Sequence, residues 1–254
     1  MAQRDIIQSD AIVLRGMDYS ETSRIVTLFT RKQGKVSVMA KGARRTKSSF
    51  GSTLQPMAYT QVVYYYKPAR TLQMLTESSH VTALHRLHRS LDKITIGLRM
   101  VELVDALMED EDPQLSVFEL LLQVLQALND ADERIGNVWP FMQLRMARIL
   151  GVAPAVDREN VQAVGEDGGI FSLSNGGVYP KSARPSNARP APRAALRAFA
   201  IFARAELDVV MRMQLDASTR TTVQQLVRDY MRYHFENAYP TRTRDVIAQF
   251  RTLR

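Results

Sequence analysis

A chain of 254 residues with 45% hydrophobic content can bury a sizeable core, enough for one large domain or two small ones. It has no cysteine, which excludes disulfides, thiol catalysis and zinc sites built on sulfur. Its net charge of +8 is concentrated rather than spread: no acid occurs from Thr22 to Thr76, a span that carries ten cations, so the rest of the chain sums to −2. Those cations are Arg24, Arg31, Lys32, Lys35, Lys41, Arg44, Arg45, Lys47, Lys67 and Arg70. A local field of one sign points to a polyanionic partner more than to a solubility device. No apolar run reaches spanning length and the stretch MAQRDIIQSD lacks a signal-peptide core, so a cytoplasmic location without a membrane partner is expected.

The first third alternates in the manner of strands. Asp10 to Met17, Arg24 to Arg31, the run from Lys35 to Ala40, Ala58 to Lys67 and Thr71 to Thr76 are β-branched or aromatic segments. Gln33-Gly34 reads as a hairpin turn, and Lys67-Pro68-Ala69-Arg70 as another. Five short strands with one long basic loop after the third suit a small closed barrel. The loop, AKGARRTKSSFGSTLQP, places Lys41, Arg44, Arg45 and Lys47 within seven residues.

After His80 the period changes to that of a helix. Leu84, Leu87, Leu91, Ile94, Leu98 and Val101 predict one long amphipathic helix, ended by the acidic turn before Pro113. Leu115, Phe118, Leu122 and Leu125 mark a second. Val138 to Leu150 is apolar almost all round and predicts a buried central helix, on which Arg145 and Arg148 must emerge on one side or be paired. Val152 to Pro192 loses periodicity under many Gly and Pro residues, and is either an ordered small insertion or a partly flexible loop. Helical pattern returns at Arg193 to Ala205, at Thr219 to Phe235 and near Asp245 to Phe250.

On the helix at Arg193, Arg197 lies about 40° and Arg204 about 20° around the axis from Arg193. The three share a face, a second and weaker basic patch, with Lys181, Arg184 and Arg189 nearby in sequence. Of the three strand tyrosines, Tyr64 and Tyr66 share one face, and such rings can stack on bases, although strand tyrosines more often pack a core. No phosphate-binding glycine loop, HExxH or GxSxG is present, and His85 and His88 have no carboxylate placed to complete a metal site. Nothing in the sequence asks for an enzyme. An RNA-binding accessory factor fits the same features as a DNA-binding protein, since small barrels with basic loops serve both; a nuclease is a weaker alternative.

The stretch AIVLRGMDYSETSRIVTLFTRKQGKVSVMAKGARRTKSSFGSTLQP closely resembles the amino-terminal barrel of the RecO family, bacterial recombination mediators of DNA repair. The Ser20 to Ser23 run, Leu28-Phe29-Thr30, Gly34, Ala40 to Arg44 and Leu54-Gln55-Pro56 carry it. It continues more loosely through Phe141 to Gly151, Phe171-Ser172, Gly176-Gly177 and the closing helices. The resemblance implies an α+β chain: a five-stranded OB-fold over residues 1–80, then an all-helical domain over 81–254 with an irregular insertion at about 152–192. It also implies binding of single- and double-stranded DNA, annealing of complementary strands, and help in loading recombinase on strands coated with single-strand-binding protein. The implied partners are RecR and the acidic tail of the single-strand-binding protein.

Lys41, Arg44, Arg45 and Lys47 match the family's basic loop, whereas Arg31, Lys32, Lys35, Tyr64, Tyr66, Arg193, Arg197 and Arg204 are DNA-contact candidates from charge and geometry alone. Arg145 and Arg148 are candidates for receiving the tail of the single-strand-binding protein. Many relatives carry two Cys-x-x-Cys pairs where this chain has Asp157 to Gln162 and Tyr179 to Ser182, so a zinc held by those cysteines is chemically excluded and no cofactor is expected. A further departure is Trp139-Pro140, which stands just before Phe141 in place of a charged pair.

Overall fold

The computed structural model describes residues 5–68, 70–236 and 239. The helix expected near Asp245 to Phe250 lies outside them. Contacts divide the chain into two compact units, one holding the residues up to Asp130 and the other Ala131–Tyr239.

In the first unit, five strands close into a barrel: β1 (Asp5–Tyr19), β2 (Ser23–Thr30), β3 (Gly34–Ala40), β4 (Tyr59–Tyr66) and β5 (Leu72–Thr82). Their order round the barrel is β1-β2-β3-β5-β4. Strand β1 is long enough to serve two neighbours. Its first half pairs with β4 from Asp5↔Tyr66 to Ile12↔Tyr59, and its second half pairs with β2 from Ala11↔Thr30 to Tyr19↔Ser23. A register shift between Val13 and Arg15 bends it from one partner to the other. Parallel pairing of β3 with β5, Ser37↔Leu72 to Ala40↔Leu75, completes the closure and leaves no open edge. Alternation fills the interior: Val26 and Leu28, Val36, Val38 and Ala40, Val62 and Tyr64 all point into one apolar cluster.

The helices α1 (Leu91–Leu107) and α2 (Leu115–Asp130) belong to the same unit as the barrel. The contact division thus differs from the expected 1–80 domain: β5 runs to Thr82, and α1 and α2 group with the barrel. Phe118 of α2 lies 6.1 Å from Phe29 and 6.4 Å from Tyr59, ring centroid to ring centroid. Arg15 donates to Asp105 at 2.9 Å, and the Lys35 ammonium donates to the Asp105 carbonyl at 3.0 Å. Gly34 lets the α1–α2 turn approach: its φ is +65°, and a Cβ there would sit 2.0 Å from the Asp112 carbonyl oxygen.

The single helix expected from Leu84 is in fact two elements. A 3₁₀ turn over His85–Arg89, which carries both histidines, is separated from α1 by Ser90, which is extended and accepts the Lys93 N–H as an N-cap. Hydrophobic spacing runs across both elements and hides the break.

The second unit is built on α3 (Val138–Ile149), buried along most of its length as its composition predicts. The segment expected to be irregular is ordered, and the domain is not all helical. It contains α4 (Arg158–Ala163) and a three-stranded antiparallel sheet of β6 (Gly169–Ser172), β7 (Val178–Pro180) and β8 (Ala188–Ala191), in the order β7-β6-β8. Then follow α5 (Arg193–Arg204), α6 (Leu207–Arg212) and α7 (Ala217–Phe235). Phe171 of β6 anchors the sheet, packing 4.6 Å from Phe199 of α5 and 5.9 Å from Tyr230 of α7.

Candidate nucleic-acid interface

The basic loop leaves β3 at Ala40 and is a chain of turns rather than a flexible span. Gly42 has φ +76°, a left-handed position that starts the first turn. Arg45 N–H then donates to the Gly42 carbonyl at 3.1 Å, and Ser48 N–H to the Arg45 carbonyl at 3.0 Å. At its far end Phe50 and Leu54 are buried in the barrel cluster. Turns at one end and an apolar anchor at the other hold the intervening cations outward, and Lys41, Arg44, Arg45 and Lys47 are all exposed.

The ten cations of the acid-free span are not equivalent once folded. Acids from outside the span reach four of them. Asp18 lies 3.6 Å from Arg24 and 3.2 Å from Arg44, which also donates to the Ser20 carbonyl at 2.9 Å. Arg31 is hydrogen-bonded to Glu119 and sits 4.7 Å over the Phe118 ring. Lys35 is mostly buried and 3.3 Å from Asp110, so it ties the barrel to the α1–α2 turn. Arg31 and Lys35 thus serve the packing of α1 and α2 on the barrel. Among the described residues Lys32, Lys41, Arg45, Lys47, Lys67 and Arg70 have no ion pair.

The tyrosines reverse the expectation. Tyr64 is fully buried, and removal from water pushes its phenol up to about 12; it cannot stack on a base. Tyr66 packs against the same cluster and its hydroxyl donates to Glu111 at 3.1 Å. Tyr65, between them, faces outward and is 37% exposed. It lines a pocket of about 340 Å³ together with Lys41, Lys67, Arg70, Leu72, Gln73 and Met74. The signal was available in the alternation: Val62 must face the core, so Tyr64 and Tyr66 follow it inward and Tyr65 does not.

In the second unit the patch on α5 is divided. Arg193 is hydrogen-bonded to Glu166 and reaches the Gln162 carbonyl at 3.4 Å. Lys181 lies 3.1 Å from Asp167, and Arg189 3.1 Å from Asp229, so acids neutralise its neighbours too. Arg197 and Arg204 remain exposed and, with Arg158 of α4, line an apolar groove of about 650 Å³ floored by Val161, Ile201 and Val209. No aromatic ring lines it.

Arg145 and Arg148 are paired. Arg148 donates to the Ala203 carbonyl at 2.7 Å, and Arg145 to the carbonyls of Ala203, Arg204 and Ala205, with Glu206 at 3.8 Å. These are the orphan carbonyls at the end of α5, where a cation also complements the helix dipole. Burial, and then the neighbouring charge of Arg148, lowers the pKa of Arg145. An exposed Arg145 ready to receive an acidic tail is therefore not what the fold provides; its guanidinium is a clamp on α5.

Among the described residues no group of three or more His, Asp or Glu side chains could hold a metal ion, and no helix is long and apolar enough to cross a membrane. The barrel order and the helices packed on it define an α+β protein with an OB-fold that presents an ordered, largely unpaired basic loop.

Comparison with known proteins gives the family. Residues 1–95 match the model described as Recombination protein O N terminal, and residues 88–243 match Recombination protein O C terminal. The chain is 61% identical to the DNA repair protein RecO of Salinibacter ruber over 98% of its own length and 96% of the relative's. It is 33% identical to the DNA repair protein RecO of a Nocardioides species over 91% and 95%, respectively. At 26% identity, the likeness to RecO of Chlorobium limicola still covers 96% and 98%. The chain belongs to the RecO family of DNA repair and recombination proteins.

Proposed function

We propose that this protein is a non-enzymatic recombination mediator acting in the cytoplasm, with no cofactor. It binds single- and double-stranded DNA through backbone phosphates, anneals complementary strands, and assists recombinase loading on strands coated with single-strand-binding protein. The observation that carries this reading is the ordered loop from Lys41 to Lys47, in which Lys41, Arg45 and Lys47 are exposed and have no ion pair among the described residues.

Two DNA strands repel each other, and a surface that neutralises both lowers that repulsion while base pairing supplies the specificity. Contacts of this kind position a strand without reading its sequence. RecR and the tail of the single-strand-binding protein are the protein partners in this reading, with the tail's docking site left unassigned now that Arg145 is occupied by α5. The exposed Arg197 and Arg204 offer a second place for anionic chain.

The test is an annealing assay with complementary strands coated in single-strand-binding protein. Wild type accelerates annealing, and the Lys41→Ala, Arg45→Ala, Lys47→Ala variant does so much less. Wild-type annealing no faster than the strands alone would overturn the proposal.

A further inference from the structure

One carboxylate serves two arginines beside the basic loop. Asp18 and Arg24 face each other across β1 and β2, and the Asp18 carboxylate lies 3.6 Å from Arg24 and 3.2 Å from Arg44. The two guanidiniums bring two positive charges, and Asp18 balances one of them. Their donors are not all met either: the Nε of Arg24 is buried without a hydrogen-bond partner. Gly16 leaves that guanidinium its place, since a Cβ there would stand 3.2 Å from the Arg24 Nε.

The β1–β2 turn fixes the second arginine. Arg44 N–H donates to the Thr22 carbonyl at 3.0 Å, and its guanidinium donates to the Ser20 carbonyl at 2.9 Å. Ser20 itself has φ +58°, a left-handed value uncommon for a residue with a Cβ. The arginines are thus held by strand pairing and by backbone, whereas the anion between them is a side chain 58% exposed. An ion pair this open is weak in water, and phosphate oxygens accept from a guanidinium fork as a carboxylate does. A phosphate can therefore take the place of Asp18. Arg44 also stands between Lys41 and Arg45 in the loop, so a strand gripped there passes the site.

We propose that Arg24 and Arg44 form a phosphate site that Asp18 fills in the free protein, so that its carboxylate competes with DNA. The proposal rests on the DNA-binding reading above and adds a brake to it. Binding at this site exchanges one anion for another. Wild type therefore gains less from these two arginines than from the unpaired Lys41, Arg45 and Lys47. A grip limited in this way lets go of a strand more readily once it has paired.

The experiment titrates a labelled oligo-dT strand by anisotropy across a salt series. Four proteins are compared: wild type, Asp18→Asn, Glu21→Gln, and Asp18→Asn combined with Arg44→Ala. Glu21 is exposed in the same turn, has no ion pair among the described residues, and controls for the change in net charge. Asp18→Asn is expected to bind more tightly than wild type. Its log–log slope should steepen by about 0.7 to 1.4, the worth of one or two phosphate contacts on a single strand. Glu21→Gln should gain less than half as much, and adding Arg44→Ala should remove most of the gain. Asp18→Asn binding no more tightly than wild type, Glu21→Gln gaining equally, or a gain that survives Arg44→Ala would each overturn the site while leaving DNA binding in place. Failure of both wild type and Asp18→Asn to bind the strand at low salt would overturn the DNA-binding reading itself.

Discussion

The backbone of Lys67 and the side chain of Gln73 hold each other from both sides, N–H to amide oxygen at 2.9 Å and amide nitrogen to carbonyl at 3.0 Å. This reciprocal pair closes the β4–β5 turn. Replacing Gln73 with Leu keeps the buried volume but takes away the partner of the Lys67 N–H and of the Arg70 carbonyl, while the Lys67 carbonyl keeps the Arg70 N–H at 3.0 Å. We expect a loss of about 1–3 kcal/mol in urea unfolding.

Gly34 carries the contact between the barrel and the α1–α2 turn. Gly34→Ala demands both a left-handed backbone for a residue with a Cβ and a shift of the Asp112 carbonyl, which would lie 2.0 Å away. A cost of at least about 2 kcal/mol is expected in equilibrium unfolding. An unchanged denaturation midpoint would mean that the turn does not depend on this approach.

Arg145 is expected to matter for stability of the second unit. Arg145→Met removes hydrogen bonds to three carbonyls at the end of α5 and should cost about 1–3 kcal/mol, seen as earlier unfolding in urea. Arg148→Met, which loses one bond from an exposed residue, should cost less. The opposite ranking would contradict the clamp.

Tyr64 and Tyr230 are both pushed up to about 12, chiefly because burial penalises the charged phenolate. Their folded pKa values lie above the ordinary value of 10, so the folded state keeps these protons longer than the unfolded chain does. Stability is therefore whole below pH 10 and is lost as pH rises through the window from 10 to about 12. In an alkaline titration followed by phenolate absorbance, Tyr64→Phe and Tyr230→Phe should each remove amplitude from the latest phase. Each should also shift alkaline unfolding upward, provided packing is retained.

The barrel could be read from alternation and turn residues because each strand's inward face is set locally, as at Val36, Val38 and Ala40. The same rule places Tyr65 outward once Val62 is taken as core. The fate of the cations could not be read this way. Arg31, Lys35 and Arg44 meet Glu119, Asp110 and Asp18, acids brought to them by tertiary packing from outside the acid-free span. The sheet in the second unit was hidden for another reason. Its strands are three or four residues long, and two contain proline, Pro180 in β7 and Pro190 in β8. Too few residues alternate there for a period to emerge. On α5 the helical wheel could not show Glu166, which reaches Arg193 from a loop.

The most direct test of the DNA grip is fluorescence anisotropy of labelled single-stranded DNA across a salt series. Wild type is compared with a Lys41→Ala, Arg45→Ala, Lys47→Ala variant, and with Arg44→Ala as the paired control. Each phosphate contact adds about 0.7 to the log–log slope for single strands, so the triple variant should flatten it by roughly two units and lose affinity. Arg44→Ala, already held by Asp18 and Ser20, should change the slope by less than one such contact. A triple variant with the slope and affinity of wild type would contradict the assignment of the loop as the DNA grip.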